Sequence, residues 1–398
     1  MRILTGDLGR VWVKGSSFTR SGAAGGCPEE GIVNPEMRTP STSSVPAAAG
    51  PRLVGRLRCR FVLRIAGSWL LLRLMLPSSV AAPPSAALTR FTYTQYHMGV
   101  DARLVVYAPD QPAAEGACAA AFARIAALDS MMSDYRRDSE LTRLSGRAGG
   151  PPVRVSSDLF HVLRRAQEVA CRSGGAFDVT VAPLIALWRK ARKTGVLPTP
   201  AEIERARRLV GWRKLRLGET AGTVRLTRRG MKLDLGGIAK GYAADEAQRV
   251  LKQHGITRAL VQLGGDIVVS GPPPGSEGWT IRVPGAGDDP GPADLRFANR
   301  AISTSGDTEQ FAVIGGRRYS HVVDPRTGQA LTNRIQVTLT APDGLTSDPL
   351  STALSVLGGE DRRKLLNAYP GTVACVRVLT GAGCQYSRFV VIPGCGTG

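Results

Sequence analysis

The spacing of apolar residues predicts a mixture of helices and strands from residue 91 onward. Apolar positions recur at helical spacing in four segments, residues 113–131, 157–173, 200–210 and 238–253. Apolar runs typical of strands occupy residues 91–107, 223–227, 259–263, 279–283, 301–304, 310–314, 319–323 and 335–340. Because helices and strands do not alternate regularly, the pattern predicts an α+β fold rather than a doubly wound sheet.

The first part of the chain has a different composition. Residues 1–55 are rich in Gly, Pro, Ser and Arg without a sustained period, so we interpret them as an overextended start or a disordered leader. Residues 56–82 combine a basic flank, a short apolar run and small residues, which predicts a secretory signal peptide. An interfacial helix is the alternative. No lipoprotein cysteine follows the apolar run, so we expect a soluble exported protein.

The charge is strongly basic, with a formal net charge of +20. Residues 83–398 hold 41 Lys and Arg against 28 Asp and Glu, or +13. Such a surplus attracts phosphates and anionic surfaces. The sequence has no zinc finger, no RNA-recognition aromatic motif and no clear basic region, so we expect no nucleic-acid partner.

Cysteine and histidine usage argues against a zinc site or a thioredoxin-like pair. The whole chain has four histidines and no Cys-x-x-Cys. Five of the seven cysteines follow residue 82: Cys118, Cys171, Cys375, Cys384 and Cys395. Two of the last three could pair in an oxidising compartment, but the sequence does not select the pair.

One octapeptide, Ser347-Asp348-Pro349-Leu350-Ser351-Thr352-Ala353-Leu354, suggests a hard cation. Asp348 suits a helix N-cap and Pro349 the first helical position. Asp348 and Thr352 then lie on one face, four residues apart. Mg²⁺ binds such oxygen ligands and shares its shell with substrate phosphates. The alternative is a helix that is merely capped.

A glycine-rich segment before a helix is a candidate phosphate site. Gly236 and Gly237 allow close approach of the backbone, and Lys240 adds a charge at the positive helix start. The segment matches neither a Walker loop nor a Rossmann fingerprint, and an ordinary turn is the alternative.

His321 lies where a strand runs into a Pro/Gly turn. It could act as a general base near neutral pH or serve as a structural strand-end histidine. The stretch Thr304-Ser305-Gly306-Asp307 carries hydroxyls beside a glycine, which we interpret as a tight loop lining a site.

Several segments stand in a fixed order along the chain. They are Met98-Gly99, 132–141 around Asp134-Tyr135, Ser173-Gly174-Gly175-Ala176-Phe177-Asp178, Asp234-Leu235-Gly236-Gly237-Ile238-Ala239-Lys240-Gly241-Tyr242, Gly264-Gly265-Asp266, Ser303-Thr304-Ser305-Gly306-Asp307, Ser320-His321-Val322-Val323-Asp324-Pro325-Arg326-Thr327-Gly328 and 347–358. Taken in this order, these segments resemble the ApbE family of FAD:protein FMN transferases. They span about 260 residues. Each is weak alone, and the ordered set is specific.

The resemblance implies an α+β, ApbE-like (T-fold-related) domain over residues 88–370, with mixed sheets and helices and an FAD cleft between two lobes. Residues 371–398 match nothing we can place. The implied FAD contacts are Met98, Tyr135, Ala176, Phe177, Asp178, Asp234, Lys240 and Val322. The resemblance also implies that Mg²⁺ is held by the Gly237 carbonyl, Asp348 and Thr352, and that His321 is the base. Gly237 departs from the alanine of many relatives, which we expect to be harmless.

The implied reaction is phosphoryl transfer. A Thr or Ser hydroxyl of a target flavoprotein, such as a membrane electron-transfer subunit, attacks the FMN-side phosphorus of FAD, and AMP leaves. A metal-dependent FAD pyrophosphatase and a non-catalytic FAD-binding protein are the alternatives. We expect a periplasmic or exported protein, either soluble or loosely associated with the inner membrane.

Overall fold

A nine-stranded antiparallel sheet organises the protein. The computed structural model describes residues 2–3, 87–284, 292–306, 311–380 and 383–390, so the predicted leader and signal peptide lie outside the described residues apart from Arg2 and Ile3. The strand order in the sheet is β1-β2-β3-β7-β8-β11-β14-β15-β16. Every neighbouring pair is antiparallel, which confirms the predicted α+β class.

Sixteen strands occur in the described residues. They are β1 Arg2–Ile3, β2 Thr89–His97, β3 Val100–Ala108, β4 Val153–Arg154, β5 Leu215–Gly218, β6 Thr223–Leu226, β7 Ala259–Leu263, β8 Asp266–Val269, β9 Trp279–Pro284, β10 Pro292–Phe297, β11 Arg300–Gly306, β12 Phe311–Ile314, β13 Arg317–Ser320, β14 Arg334–Ala341, β15 Val373–Thr380 and β16 Gly383–Val390. Strands β4, β6 and β5 form a small second sheet, and β9–β10 and β12–β13 are separate hairpins.

Eight α-helices and two 3₁₀ turns connect these strands in the described part of the chain. The helices are α1 Gln111–Met132, α2 Glu140–Gly146, α3 Ser157–Arg172, α4 Ala182–Thr194, α5 Pro200–Arg207, α6 Ala239–Gln253, α7 Gly344–Val356 and α8 Gly359–Asn367. The 3₁₀ turns are Val179–Val181 and Trp212–Lys214. None of the described helices is long and apolar enough to cross a membrane.

Local capping explains several helix starts. Asp110 accepts a hydrogen bond from the Ala113 N–H at 2.8 Å, and Ser156 accepts one from the Leu159 N–H at 3.3 Å. Thr199 and Glu202 form a reciprocal capping box at α5. Capping places these starts within two residues of the predicted ones.

Helices α1, α6 and α7 cover one face of the large sheet. Buried residues such as Phe122, Ala243 and Leu354 join them to the sheet in the main core. The β9–β10 hairpin covers the opposite face through Trp279 and Ile281. A separate apolar cluster centres on Trp188 of α4 and Tyr319 of β13, whose rings stack 5.2 Å apart.

Three details differ from the sequence predictions. Helix α7 begins at Gly344 with Asp343 as N-cap, so Asp348 does not cap it and Pro349 lies inside it. Two carboxylates bind its first N–H groups instead, because Asp343 accepts from Thr346 and Asp245 accepts from Gly344 and Leu345. Residues 304–306 belong to β11 rather than to a loop, and Asp307 is outside the described residues. The predicted strand 319–323 ends at Ser320.

The segment after residue 370 also has a definite place. Strand β15 pairs with β14 over seven residues, with Val337 opposite Val376, and β16 pairs with β15. The large sheet therefore extends into the segment that matched no motif in the sequence.

Candidate active site

A buried charged cluster lies where α6, α7 and β8 meet. The Lys240 ammonium contacts the Asp266 carboxylate at 2.5 Å and lies 3.6 Å from Asp348 Oδ2. Asp266 and Asp348 are 3% and 4% exposed. Two carboxylates share one ammonium, so the cluster as ionised carries a net negative charge and favours a further cation.

The electrostatics of the cluster follow from burial. Burial, together with the Asp266 charge, raises the pKa of Asp348 to about 7, although Lys240 and the Gly241 N–H oppose this rise. Burial alone would lower the pKa of Lys240, but the two carboxylates outweigh it and the pKa rises. Lys240 is therefore a permanent cation.

The three predicted metal ligands lie together. Asp348 and Thr352 are one turn apart on α7, and a Cβ placed on Gly237 would lie 3.1 Å from Thr352 Oγ1. A carboxylate, a hydroxyl and a carbonyl are hard oxygen donors that suit Mg²⁺ with water or phosphate completing its shell. In the described residues no three His, Cys, Asp or Glu side chains converge as a metal cluster. The three candidate ligands include only one such side chain.

The contact with Thr352 bears on Gly237, where we expected glycine in place of the relatives' alanine to be harmless. A Cβ there would also lie 3.4 Å from Phe177 Cε2, which is ordinary packing, but the 3.1 Å approach to Thr352 requires the hydroxyl to shift by a few tenths of an ångström. Glycine thus leaves room beside Thr352.

A second set of contacting side chains contains Tyr135, Asp234 and Arg189. Sequence analysis did not assign Arg189 to the site. Arg189 Nη1 donates to Asp134 at 2.6 Å, and Nη2 donates to Asp234 at 3.1 Å. The guanidinium carbon lies 4.7 Å from the centre of the Tyr135 ring. Gly236 N–H also donates to Asp234 at 2.8 Å, which connects this group to the glycine-rich segment.

The predicted trio Ala176, Phe177 and Asp178 is buried between these groups. The Asp234 N–H donates to the Val179 carbonyl at 2.8 Å, and Phe177 faces the Gly237 position. Asp178 accepts hydrogen bonds from the Thr180 N–H and hydroxyl at 2.8 and 2.7 Å. Burial raises the pKa of Asp178 to about 6, with Thr180 opposing the rise.

Met98 lies in a left-handed turn with φ 51°, and its N–H donates to Asp129 at 2.9 Å. The turn between β7 and β8 lies beside it, because a Cβ on Gly264 would be 3.2 Å from Val100 Cγ1. The Met98 turn therefore neighbours the segment that carries Asp266.

His321 and Val322 belong to a loop that packs against the apolar cluster centred on Trp188 and Tyr319. Val322 N–H donates to Ser320 Oγ at 3.0 Å, and the Trp188 indole donates to the Gly328 carbonyl at 2.9 Å. The loop approaches the trio through Arg326, whose Cγ would lie 3.9 Å from a Cβ on Gly175. The loop that carries His321 therefore lies next to the segment that carries the trio.

Asp266 and Arg189 are the two site residues that sequence reasoning did not assign. Asp266 followed a Gly-Gly turn within a recognised motif, which was a usable signal. Arg189 stands among other basic residues of α4, so nothing in its local sequence marks it.

Two cavities of about 580 and 360 Å³ lie elsewhere. They share His161 and Tyr242, and none of the predicted site residues lines either one.

The fold and the site define an α+β protein that carries a buried cation-attracting cluster beside a glycine-rich helix start. The ApbE family model matches residues 98–377. An FAD:protein FMN transferase of Treponema pallidum (strain Nichols) is 34% identical over 308 residues, which cover 73% of this chain and 84% of the relative. An FAD:protein FMN transferase of Klebsiella pneumoniae (strain 342) is 31% identical and covers 72% and 84%.

Solved structures agree with the sequence matches. The flavin transferase ApbE from Vibrio cholerae matches with a TM-score of 0.68 and 28% identity, over 76% of this chain and 97% of that protein. The apo form of the Pseudomonas stutzeri flavinyl transferase ApbE matches with a TM-score of 0.67, 28% identity, and coverage of 76% and 95%. The chain belongs to the ApbE family.

Proposed function

We propose that this chain transfers FMN from FAD to a threonine or serine hydroxyl of a target flavoprotein, with release of AMP and a requirement for Mg²⁺. The supporting observation is the convergence of Lys240, Asp348, Thr352 and Gly237 beside a helix start, in a chain whose relatives are named FAD:protein FMN transferase. A diphosphate needs cations and backbone N–H groups of this kind.

We assign different residues to different roles in an in-line displacement at phosphorus. Lys240 and the start of α6 bind the diphosphate oxygens, and Tyr135, Phe177 and Asp234 orient the rest of FAD. His321 accepts the proton of the attacking hydroxyl. The hydroxyl oxygen bonds to the FMN-side phosphorus, the bond from that phosphorus to the bridging oxygen breaks, and AMP leaves with that oxygen. Asp348, Thr352 and the Gly237 carbonyl would hold Mg²⁺, which would supply neutralisation of the charge that develops on the phosphates.

The test is intact-mass analysis of an acceptor. The purified protein is incubated with FAD, MgCl₂ and a flavoprotein domain that carries a threonine flavinylation site, and AMP is measured by chromatography. We expect a mass gain of one FMN with one AMP released per acceptor, and no gain with EDTA or with a Thr→Val acceptor. Free FMN and AMP with an unlabelled acceptor would indicate a pyrophosphatase. FAD that binds and stays intact would indicate a binding protein.

We also propose that the chain is exported and acts in the periplasm. The support is the composition of residues 56–82, with its basic flank and short apolar run. Fractionation of cells that express the full chain, compared with a variant lacking 56–82, tests this. Equal amounts of both forms in the cytoplasm would contradict it.

A further inference from the structure

We propose that Arg189 is a positioning residue for FAD binding. It joins the Asp134–Tyr135 segment to Asp234 and holds the Tyr135 ring in place for FAD. The inference rests on the proposed function, because Tyr135 and Asp234 are flavin contacts only if the chain binds FAD. Arg189 itself contacts protein groups and acts through them.

Three contacts from three parts of the chain carry this assignment. Arg189 belongs to α4, Asp134 and Tyr135 follow α1, and Asp234 precedes α6. One guanidinium reaches Asp134 at 2.6 Å and Asp234 at 3.1 Å, and it lies 4.7 Å from the Tyr135 ring centre. A single side chain therefore contacts two segments that are distant in the chain.

The chemistry explains why this position needs arginine. A guanidinium is planar and presents several N–H donors in fixed directions, so it can serve two carboxylates while its face stacks on an aromatic ring. A lysine ammonium has the charge but not the flat face. Arg189 is one-third exposed and Asp234 is 12% exposed, so the contacts are only partly open to water.

Arg189 also separates two like charges. Burial and the nearby Asp134 carboxylate raise the pKa of Asp234, whereas Arg189 lowers it. Without the guanidinium, Asp134 and Asp234 repel each other. The segments that carry Asp134 and Asp234 would then move apart, or one of the two carboxylates would take up a proton.

The consequence for FAD is preorganisation. Tyr135 is 78% exposed, and its ring is held from one side by the guanidinium. A ring that is held before binding loses less conformational entropy when a planar ligand arrives. Loss of Arg189 should therefore weaken FAD binding more than it slows the chemical step.

The experiment measures FAD affinity by flavin fluorescence for the wild type, Arg189→Leu, Arg189→Lys, Tyr135→Leu and the double variant Tyr135→Leu/Arg189→Leu. Lys193→Leu is the matched control, since it removes an exposed charge from the same helix. The transfer rate at saturating FAD is recorded as well. The melting temperature of each apoprotein shows whether it is folded.

We expect Arg189→Leu to raise the Kd for FAD by about 10- to 100-fold, the range for loss of charge-assisted hydrogen bonds. Arg189→Lys should raise it less, and Lys193→Leu by less than about twofold. The FMN transfer rate of Arg189→Leu at saturating FAD should differ from that of the wild type by less than about threefold. The double variant should bind FAD more tightly than the sum of the two single losses predicts, since Arg189 acts partly through Tyr135.

An Arg189→Leu affinity within twofold of the wild type would overturn the assignment, as would fully additive effects of Tyr135 and Arg189. If Arg189→Leu does not fold, Arg189→Lys decides, and an unchanged Kd there overturns the assignment. A wild type that binds FAD but does not label an acceptor would overturn the proposed function alone, because the Arg189 readout is FAD affinity.

Discussion

Gly241 of α6 and Gly344 of α7 lie in direct backbone contact. A Cβ on Gly241 would overlap the Gly344 carbonyl oxygen and approach Asp348 Cβ to 2.8 Å, and a Cβ on Gly344 would overlap the Gly241 carbonyl. The Gly241 N–H donates to Asp348 Oδ2 at 3.1 Å. This close helix crossing places Asp348 beside Lys240.

The first prediction concerns that crossing. Gly241→Ala forces α6 and α7 apart, and we expect the free energy of unfolding to fall by about 2–4 kcal/mol and FMN transfer to be lost with it. Denaturant unfolding measures the loss. Gly116→Ala is the control, since that helical glycine has open space around it, and we expect it to stabilise by about 0.5–1 kcal/mol. Equal stability of both variants would contradict the close crossing.

The second prediction concerns the metal carboxylate. Asp348→Asn should reduce metal-dependent transfer by about 100-fold or more, because it removes the charged ligand. The fold should survive, with a change of less than about 2 kcal/mol in the free energy of unfolding, since Lys240 keeps Asp266 as partner. Calorimetric titration of Mg²⁺ tests the same change without activity. Asp361→Asn is the control, since the Asp361 side chain is exposed on α8, and wild-type Mg²⁺ affinity in Asp348→Asn would remove Asp348 from the site.

The third prediction separates the hydroxyl of Thr352 from its bulk. Thr352→Val keeps the shape but loses the oxygen, so we expect weaker Mg²⁺ binding and transfer slowed about tenfold or more. Thr352→Ser retains the oxygen and should keep most of the activity. The metal assignment of Thr352 fails if valine and serine behave alike in the Mg²⁺ titration.

The fourth prediction concerns the base. His321→Ala should retain FAD, because the histidine follows β13 on an anchored loop, while transfer falls by about 100-fold or more. FAD affinity and acceptor labelling are measured on the same sample. His254→Ala is the control, as it lies at the end of α6. Unchanged labelling in His321→Ala would exclude the base role.

The fifth prediction is a pH effect on stability. The pKa of buried Asp178 is raised to about 6 in the fold, against about 3.9 in an unfolded chain. Between these values the folded state holds the proton more tightly, so the contribution of this group to stability is present below about pH 4 and is lost as pH rises to 6. Relative to Asp178→Asn, we expect the free energy of unfolding of the wild type to fall by about 2 kcal/mol between pH 4 and pH 6. Parallel stability curves from pH 4 to 6 would contradict this.

Local signals in the sequence predicted most helices and strands correctly. Strand β7 spans the predicted residues 259–263, and α3 begins at the predicted Ser157. The predicted start of α7 at Asp348 was wrong. The carboxylates of Asp245, Asp343 and Asp348 can all accept a hydrogen bond from an N–H group at a helix start. Asp245 lies about 100 residues earlier in the chain, and only the packing of α6 on α7 brings it to Gly344.

The sequence by itself determined the α+β class, the ordered motifs of the ApbE family and the pairing of Asp348 with Thr352 on one helix face. These features depend on local periodicity and on residues close in the chain. Tertiary structure alone decided that Asp266 contacts Lys240, that Arg189 joins Asp134 to Asp234, and that β15 extends the sheet. Such contacts connect residues 26 to 55 positions apart, or strands far apart in the chain, so helix crossing and strand pairing determine them and local pattern does not.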